Sequence, residues 1–389
     1  MRKVRVLVAH NAYQHLGGED SVVDAEIALL RSYGHEVETY FRHNDDVNEA
    51  SMLAVAGQAL WSTQTTNEVA VKLAAFRPDV VHVHNTFPLV SPSIYWAAAR
   101  AGVPIVQTLH NFRTLCLSAL FMREGRVCED CLGHLPWRGV IHQCYRDSTA
   151  ASTVLAGMVT LHRGLGTYRN KVTRYIALND FCRAKFIAGG LPEEKFSVKP
   201  NFIEKLEMPV WQGRQGGLFV GRLSKEKGLD VLAEAAKLLP ANPVKVIGSG
   251  DMDVFAQSFF GSDYLGFQPL DTILTKMRQS AYLVVPSIWY ENFPRTIVEA
   301  FACGLPVIAS RIGALAEIVE DGRTGLLFEA GNAADLADKL AWAEAHPEEM
   351  VKMGMAAHAE YEAKYTPERN YAILMRIYEE AIAASRAGF

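Results

Sequence analysis

The sequence predicts an α/β protein of two doubly wound parallel-sheet domains facing across a cleft, and three observations carry that expectation. Short β-branched apolar runs recur along the chain, amphipathic stretches of helical period separate them, and the alternation restarts once, near Gly216. Strands covered on both faces need continuous apolar runs. Repeated strand–helix–strand units imply parallel sheets with right-handed crossovers. At 389 residues and 49% hydrophobic, the chain holds enough apolar side chain for two cores.

In the first half the expected strands are 4–9, 80–84, 105–109 and 175–178, with His10-Asn11 ending the first of them. A helix is expected over 21–32, stopped by Gly34. In the second half the expected strands are 217–220, 244–247, 264–266, 281–285, 305–309 and 325–328, with a helix over 228–239. The segment 200–216 has prolines, glycines and no period, as a linker should. The resulting division is an N-terminal domain, 1–200, with a cysteine-containing insertion near 112–150. A C-terminal domain follows over 201–366, then an amphipathic helix within 367–389.

Bulk properties narrow the classes. A net charge of −4 gives no reason to expect nucleic acid as a partner. The short apolar run at the start has no cleavage-site pattern, and no apolar stretch is long enough to span a bilayer, so the expected location is cytoplasmic. The loop from His10 to Glu19 lacks the glycine spacing of a dinucleotide site, and Gly248-Ser249-Gly250 lacks the third glycine. A nicotinamide dehydrogenase is disfavoured.

The densest chemical signal runs from Pro286 to Val307. A buried strand ends at Pro286, a loop carries Glu291, and a helix starts near Pro294-Arg295, where proline costs no hydrogen bond. The amides of Arg295, Thr296 and Ile297 are then free to face an anion. Glu299 lies among Val298, Ala300, Phe301 and Ala302, and an acid in so apolar a stretch needs a partner. The bland alternative makes Glu291 a cap and Glu299 a solvated acid. A second signal, Gly221-Arg222 through Lys227-Gly228, places two cations around a turn after a strand. Arg and Lys there suit a diphosphate, unless they are merely solvated.

Taken with Gly17-Gly18, Thr108-Leu109-His110, Lys199-Pro200-Asn201, Gly248-Ser249-Gly250 and Gly304-Leu305-Pro306-Val307, these segments resemble, in order along nearly the whole chain, the retaining glycosyltransferases of family 4 with the GT-B fold. The resemblance implies two Rossmann-like domains, the second holding a nucleoside diphosphate sugar and the first an acceptor. It implies that Arg222 and Lys227 hold the diphosphate and that Glu291 contacts the donor sugar. Glu299 would bind the ribose, and His110 would lie by the reacting sugar. Asn292, Phe293, Pro294, Arg295, Thr296 and Ile297 would hold sugar and phosphate, Gly17 and Gly18 would let the first loop approach the donor, and Gly250 and Phe267 would lie near the nucleoside. The implied activity is transfer of a hexose from a UDP- or GDP-sugar to a saccharide or lipid-linked saccharide, in bacterial polysaccharide or glycolipid synthesis. Phe293-Pro294-Arg295-Thr296 departs from the small-residue loop of many members, which bears on the identity of the sugar.

No cofactor is expected for catalysis. Asp251-Met252-Asp253 has the spacing of a divalent-metal motif, but Asp at a helix start is the simpler reading. Cys116, Cys128, Cys131 and Cys144, spaced C-x11-C-x2-C-x12-C, stand as candidate ligands of a structural zinc, with reduced thiols and disulfides as the competing readings. Cys303 is expected in the core. His82 and His84 alternate on a strand and read either as ligand-facing or as satisfied histidines. The stretch 151–169 reads as a packed helix, with peripheral contact to a membrane as the alternative. Against the enzyme stand a catalytically idle GT-B binding module and an inverting enzyme or epimerase on the same fold.

Overall fold

The computed structural model describes residues 3–14, 17–47 and 52–387. In chain order the strands are β1 Arg5–Ala12, β2 Glu36–His43, β3 Val80–Val83, β4 Ile105–Thr108, β5 Met122–Arg123, β6 Arg126–Val127, β7 Arg174–Ala177 and β8 Phe196–Val198. They continue as β9 Gly217–Val220, β10 Val244–Ile247, β11 Tyr282–Val285, β12 Val307–Ser310 and β13 Gly325–Phe328. The chain divides into two compact units. One comprises Met1–Leu120, Glu129–Pro200 and Asn370–Phe389; the other comprises Phe121–Cys128 and Asn201–Arg369.

The first unit holds a parallel sheet in the order β2-β1-β3-β4-β7-β8. Its central strands are buried throughout, as their continuous apolar runs require. The first strand outruns its expected end: β1 continues through His10 and Asn11 to Ala12. Both polar side chains are buried and bonded, His10 to Asp20 at 2.8 Å and Asn11 through its Oδ1 to the Leu89 amide at 2.7 Å. Tertiary partners absorb a cost that reads as a strand stop in the bare sequence. The helix Gly18–Ser32 begins earlier than expected, directly at the glycine pair, and the left-handed Gly34 follows its end. The long helix Pro367–Arg386 lies in this unit from Asn370 onward.

The second unit holds a five-stranded parallel sheet in the order β10-β9-β11-β12-β13. Its core gathers Phe219, Leu232, Val246, Tyr282, Ile308 and Leu340. The strand expected at 264–266 is only a single bridge from Val246 to Tyr264. The expected helix at 228–239 is Leu229–Lys237, preceded by a tight turn at Lys225–Lys227. The antiparallel pair β5–β6 also belongs to this unit.

Each sheet reverses its direction of growth once, between β1 and β3 in the first and between β9 and β11 in the second. Open parallel sheets bind ligands beyond the carboxyl ends of the strands that flank such a reversal.

Candidate active site

In the second unit the two loops that leave β9 and β11 flank the reversal, and they carry the two chemical segments picked out in the sequence. Gly228 makes their approach feasible. Its backbone is left-handed, φ 73°, and a Cβ there would stand 1.9 Å from the Pro286 carbonyl oxygen. The Ile288 amide donates to the Glu226 carbonyl at 3.0 Å and zips the loops further. Lys227 thereby reaches Glu291: its ammonium donates to Oε1 at 2.6 Å. The same oxygen accepts from the Ser287 hydroxyl at 2.7 Å and the Trp289 indole at 3.1 Å. None of these three contacts uses Oε2. Glu291 is buried and is no simple helix cap, since the helix starts at Arg295 with Pro294 before it.

Arg222 is the more open of the two cations. Its side chain is 61% exposed, ion-paired with Glu226 and 3.3 Å from the Ser224 hydroxyl. Glu299 is buried rather than solvated, and its partner is Arg295, one turn back, at 3.2 Å. Burial pushes the Glu299 carboxyl up, and Arg295 draws it part of the way back.

Of the three helix-start amides expected to be free, that of Ile297 is taken: it donates to the Pro294 carbonyl at 3.0 Å in a tightened first turn. Asn292 is buried, and the Phe293 ring lies edge-on to Tyr365, centroids 6.3 Å apart. At Gly250, φ 157°, a Cβ would come within 2.5 Å of the Leu223 carbonyl oxygen, so this loop packs backbone to backbone against the Arg222 loop. Asp253 accepts from the Gly250 amide at 2.7 Å, the helix-start role expected of it. Phe267 stands 75% exposed.

In the first unit Gly17 precedes the helix that follows β1, His84 follows β3 and His110 follows β4. The Gly17 amide donates to Asp20 Oδ2 at 2.8 Å, and nothing lies within 4 Å of where a Cβ of Gly18 would stand. His110 lines a cavity of about 50 Å³ together with His84, Asn85, Asn111 and Arg113. Burial presses the His110 imidazole down to about 3, so it is neutral near pH 7.

Behind His110 lies a buried cluster that the sequence reading missed. Lys199 donates to Glu26 Oε2 at 2.7 Å and also meets Asn370 Oδ1 at 3.2 Å. Glu26 Oε1 lies 3.0 Å from His82 Nδ1 and 3.5 Å from His84 Nε2, and His84 Nδ1 lies 2.9 Å from His110 Nε2. His82 also reaches the Tyr378 hydroxyl at 2.7 Å and the Thr108 hydroxyl at 2.8 Å, so it is a satisfied histidine. Burial works against the Glu26 carboxylate, but Lys199, His82 and His84 together hold it well below the ordinary glutamate value. The available signals were Glu26 on the apolar face of a helix and Lys199 in Lys199-Pro200-Asn201. A further missed acid is Glu19, beside Gly18. Burial raises it to about 7, and it accepts from the Tyr13 hydroxyl at 2.9 Å.

None of the six cysteines is in a disulfide. Cys303 lies in the core as expected. Among the described residues, the group of three or more His, Cys, Asp or Glu whose ligand atoms come within 4.8 Å of one another is Glu26, His82 and His84. The structure does not bring Cys116, Cys128, Cys131 and Cys144 together in that way. In that cluster Lys199 engages Glu26 Oε2 and Tyr378 engages His82 Nδ1.

Two parallel-sheet units, each with its polar groups at the reversal of strand order, define an α/β enzyme class that binds ligands at the carboxyl ends of its strands. Residues 17–201 match the family model described as glycosyl transferase 4-like domain, and residues 213–360 match glycosyl transferases group 1. A D-inositol 3-phosphate glycosyltransferase of Nocardiopsis dassonvillei is 35% identical over 331 residues, covering 79% of this chain and 72% of the relative. An uncharacterised glycosyltransferase of Methanocaldococcus jannaschii is 36% identical over 170 residues, 42% of this chain, and the match spans about half (48%) of that relative's length. Among solved structures, sucrose-phosphate synthase of Thermosynechococcus elongatus superposes with a TM-score of 0.72 at 18% identity, covering 98% of this chain and 100% of the other. Anabaena HepE in complex with UDP and glucose gives 0.62 at 17%, covering 99% and 100%. The chain belongs to the group 1, family 4-like glycosyltransferases of the GT-B fold.

Proposed function

We propose that this glycosyltransferase is retaining and metal-independent, and that it moves a hexose from a UDP- or GDP-sugar onto a saccharide or lipid-linked saccharide in bacterial polysaccharide or glycolipid synthesis. The observation that carries this reading is the Lys227–Glu291 contact at the reversal of the second sheet, with Arg222 on the same loop as Lys227. Lys227 and Arg222 stabilise the departing diphosphate, Glu291 receives sugar hydroxyls through Oε2, and Glu299 receives the ribose. The C1–O bond to phosphate breaks, the acceptor oxygen bonds to C1 on the same face, and the leaving phosphate oxygen takes the acceptor proton. A second carboxylate acting as nucleophile is then unnecessary. The solved neighbour described with UDP and glucose supports the donor class, and an amylovoran biosynthesis glycosyltransferase of Erwinia amylovora, 29% identical over 217 residues, supports the product class; the relatives described as D-inositol 3-phosphate glycosyltransferases name a different acceptor.

Peripheral contact with an anionic membrane is the second part of the proposal. Trp137 and Ile141, one turn apart on the helix Trp137–Ile141, are 56% and 63% exposed, and Leu135 precedes them in the open. Residues 132–171 carry five basic side chains and one acid in a chain whose net charge is −4. Apolar side chains with flanking cations suit a lipid headgroup layer. The helix Thr149–Gly164 itself packs through Leu155, Met158 and Val159, as its expected core role requires. Sedimentation with vesicles containing phosphatidylglycerol, lost in Trp137→Ser/Ile141→Ser, tests the contact.

The donor is tested by thermal shift with UDP, GDP and their sugars, with and without EDTA. A ligand that binds the folded chain alone raises the melting temperature by mass action, and a hundredfold excess over Kd is worth about 2.7 kcal/mol. A shift with UDP or GDP that EDTA leaves intact is the expected result. Silence with every nucleotide favours an idle binding module, and a β-linked product from an α-linked donor overturns retention.

A further inference from the structure

The Lys199–Glu26 pair is closed off from solvent, since the two side chains are 1% and 2% exposed. Glu26 Oε1, which lies 3.0 Å from His82 Nδ1, also faces His84 Nε2 at 3.5 Å, and that buried nitrogen has no other hydrogen-bond partner. That distance is long for a hydrogen bond, yet it decides where the His84 proton sits. A lone pair on Nε2 would point at a carboxylate in a dry site; an N–H there meets it favourably. Burial and the neighbouring histidines hold His84 neutral, so it carries one ring proton, and that proton belongs on Nε2. Nδ1 of His84 is then an acceptor. The group it meets, 2.9 Å away, is His110 Nε2, which must donate. His110 is neutral as well, so its own Nδ1 is left without a proton.

We infer that the Lys199–Glu26 pair acts through His84 to fix His110 as the Nε2–H tautomer, presenting Nδ1 as a hydrogen-bond acceptor to a hydroxyl of the sugar or the acceptor. The inference rests on the proposed placement of His110 by the reacting sugar. Glu26 and Lys199 are positioning residues; they touch no substrate. His10 and His82 complete the ring of groups around His84: His10 meets Asp20 through Nε2, and His82 meets Tyr378 and Thr108 through its two nitrogens. The same chain of contacts explains why a lysine and a glutamate share this interior. Without Lys199 the carboxylate would be an unpaired buried charge, and without the carboxylate nothing would choose between the His84 tautomers.

The test reads the tautomers directly. Long-range 1H–15N spectra of the full chain with 15N-labelled histidine, at pH 7, assign His84 and His110 with His84→Gln and His110→Gln. Both rings are expected to show a protonated Nε2 and a bare Nδ1. The double variant Glu26→Leu/Lys199→Met removes both charges with little change of volume, so the fold is retained. In it His110 is expected to become a mixture of tautomers, with kcat down about tenfold and donor KM unchanged. A native His110 protonated on Nδ1 overturns the inference, as does a double variant with an unaltered tautomer and full kcat. The spectra need no turnover. An enzyme inactive with every donor, with the tautomers as expected, would therefore fail the proposed function and not this reading of the ring.

Discussion

The molecule contains two Lys–Glu contacts of nearly equal length, and they do opposite work. Lys199 meets Glu26 at 2.7 Å inside the first unit, with both side chains sealed; Lys227 meets Glu291 at 2.6 Å in the second, with the lysine a quarter exposed and the glutamate nearly closed off. The first pair has its remaining oxygen turned toward histidines; the second gathers three donors on one oxygen and commits none of them to the other. A salt bridge in a dry interior is a fixture, because breaking it strands a charge. One at the mouth of a site can trade a partner for a ligand. Distance alone does not distinguish them; burial and the unused atoms do.

The comparison breaks most visibly at Lys199. Lys199→Ala should cost about 3–5 kcal/mol of folding stability, because Glu26 is left buried and unpaired. Urea unfolding measures it, and a loss below 1 kcal/mol would mean that the pair is not the fixture described. Lys227→Ala should do the reverse. Its stability should fall by less than that of Lys199→Ala, since Ser287 and Trp289 still donate to Glu291, while transfer falls by roughly 10²–10³ through loss of charge on the leaving group. A fully active Lys227→Ala enzyme would sink the site assignment.

Acid sharpens the contrast. Burial lowers His10, His35, His84, His110 and His162, so below the ordinary histidine value of 6.5 the unfolded chain binds protons that the folded chain refuses. Stability from these groups is present above 6.5 and is lost as pH falls. Glu19 and Glu299, both raised by burial, work in the other direction. Five histidines against two carboxyls leave a net loss of up to about 4 kcal/mol per pH unit. Below 4.5 Glu26, held low, adds its own loss. Urea midpoints should therefore fall from pH 7 to pH 5 and faster below; a flat profile would contradict the neutral histidine cluster. The smallest effect is expected at the exposed Arg222, where Arg222→Ala should slow transfer roughly tenfold with stability unchanged within about 0.5 kcal/mol.

The sequence showed the second site more plainly than the first, for a physical reason. Arg222, Lys227, Glu291 and Glu299 sit in two continuous segments whose loop and helix signals are local. Their residue types already suited an anion and a polyol. The contact between Lys227 and Glu291 is not local, but a parallel fold that puts β9 beside β11 delivers it. The Glu26 cluster joins residues from five places between 26 and 378, and no window of sequence contains two of its charged members. The same limit hid the end of β1, where Asp20 bonds His10 Nε2 and the backbone at Leu89 bonds Asn11. The edge strands escaped for another reason. In Glu36–His43 the residues are mostly polar or half-buried, and Phe196–Val198 is three residues long, so neither reads as an apolar run. Cys116, Cys128, Cys131 and Cys144 have a suggestive spacing, but among the described residues no three of them bring their thiols within 4.8 Å of one another.

Gly228 has a consequence for anyone who would re-engineer the donor preference. With a carbonyl oxygen 1.9 Å from the place where a side chain would begin, that position has an alphabet of one letter. A saturation library there should return glycine alone, and every other codon should appear as a lost clone rather than a changed specificity. Phe267, with its ring largely in the open, lies at the other extreme. Diversity spent at 267 can explore chemistry; diversity spent at 228 can only sample damage.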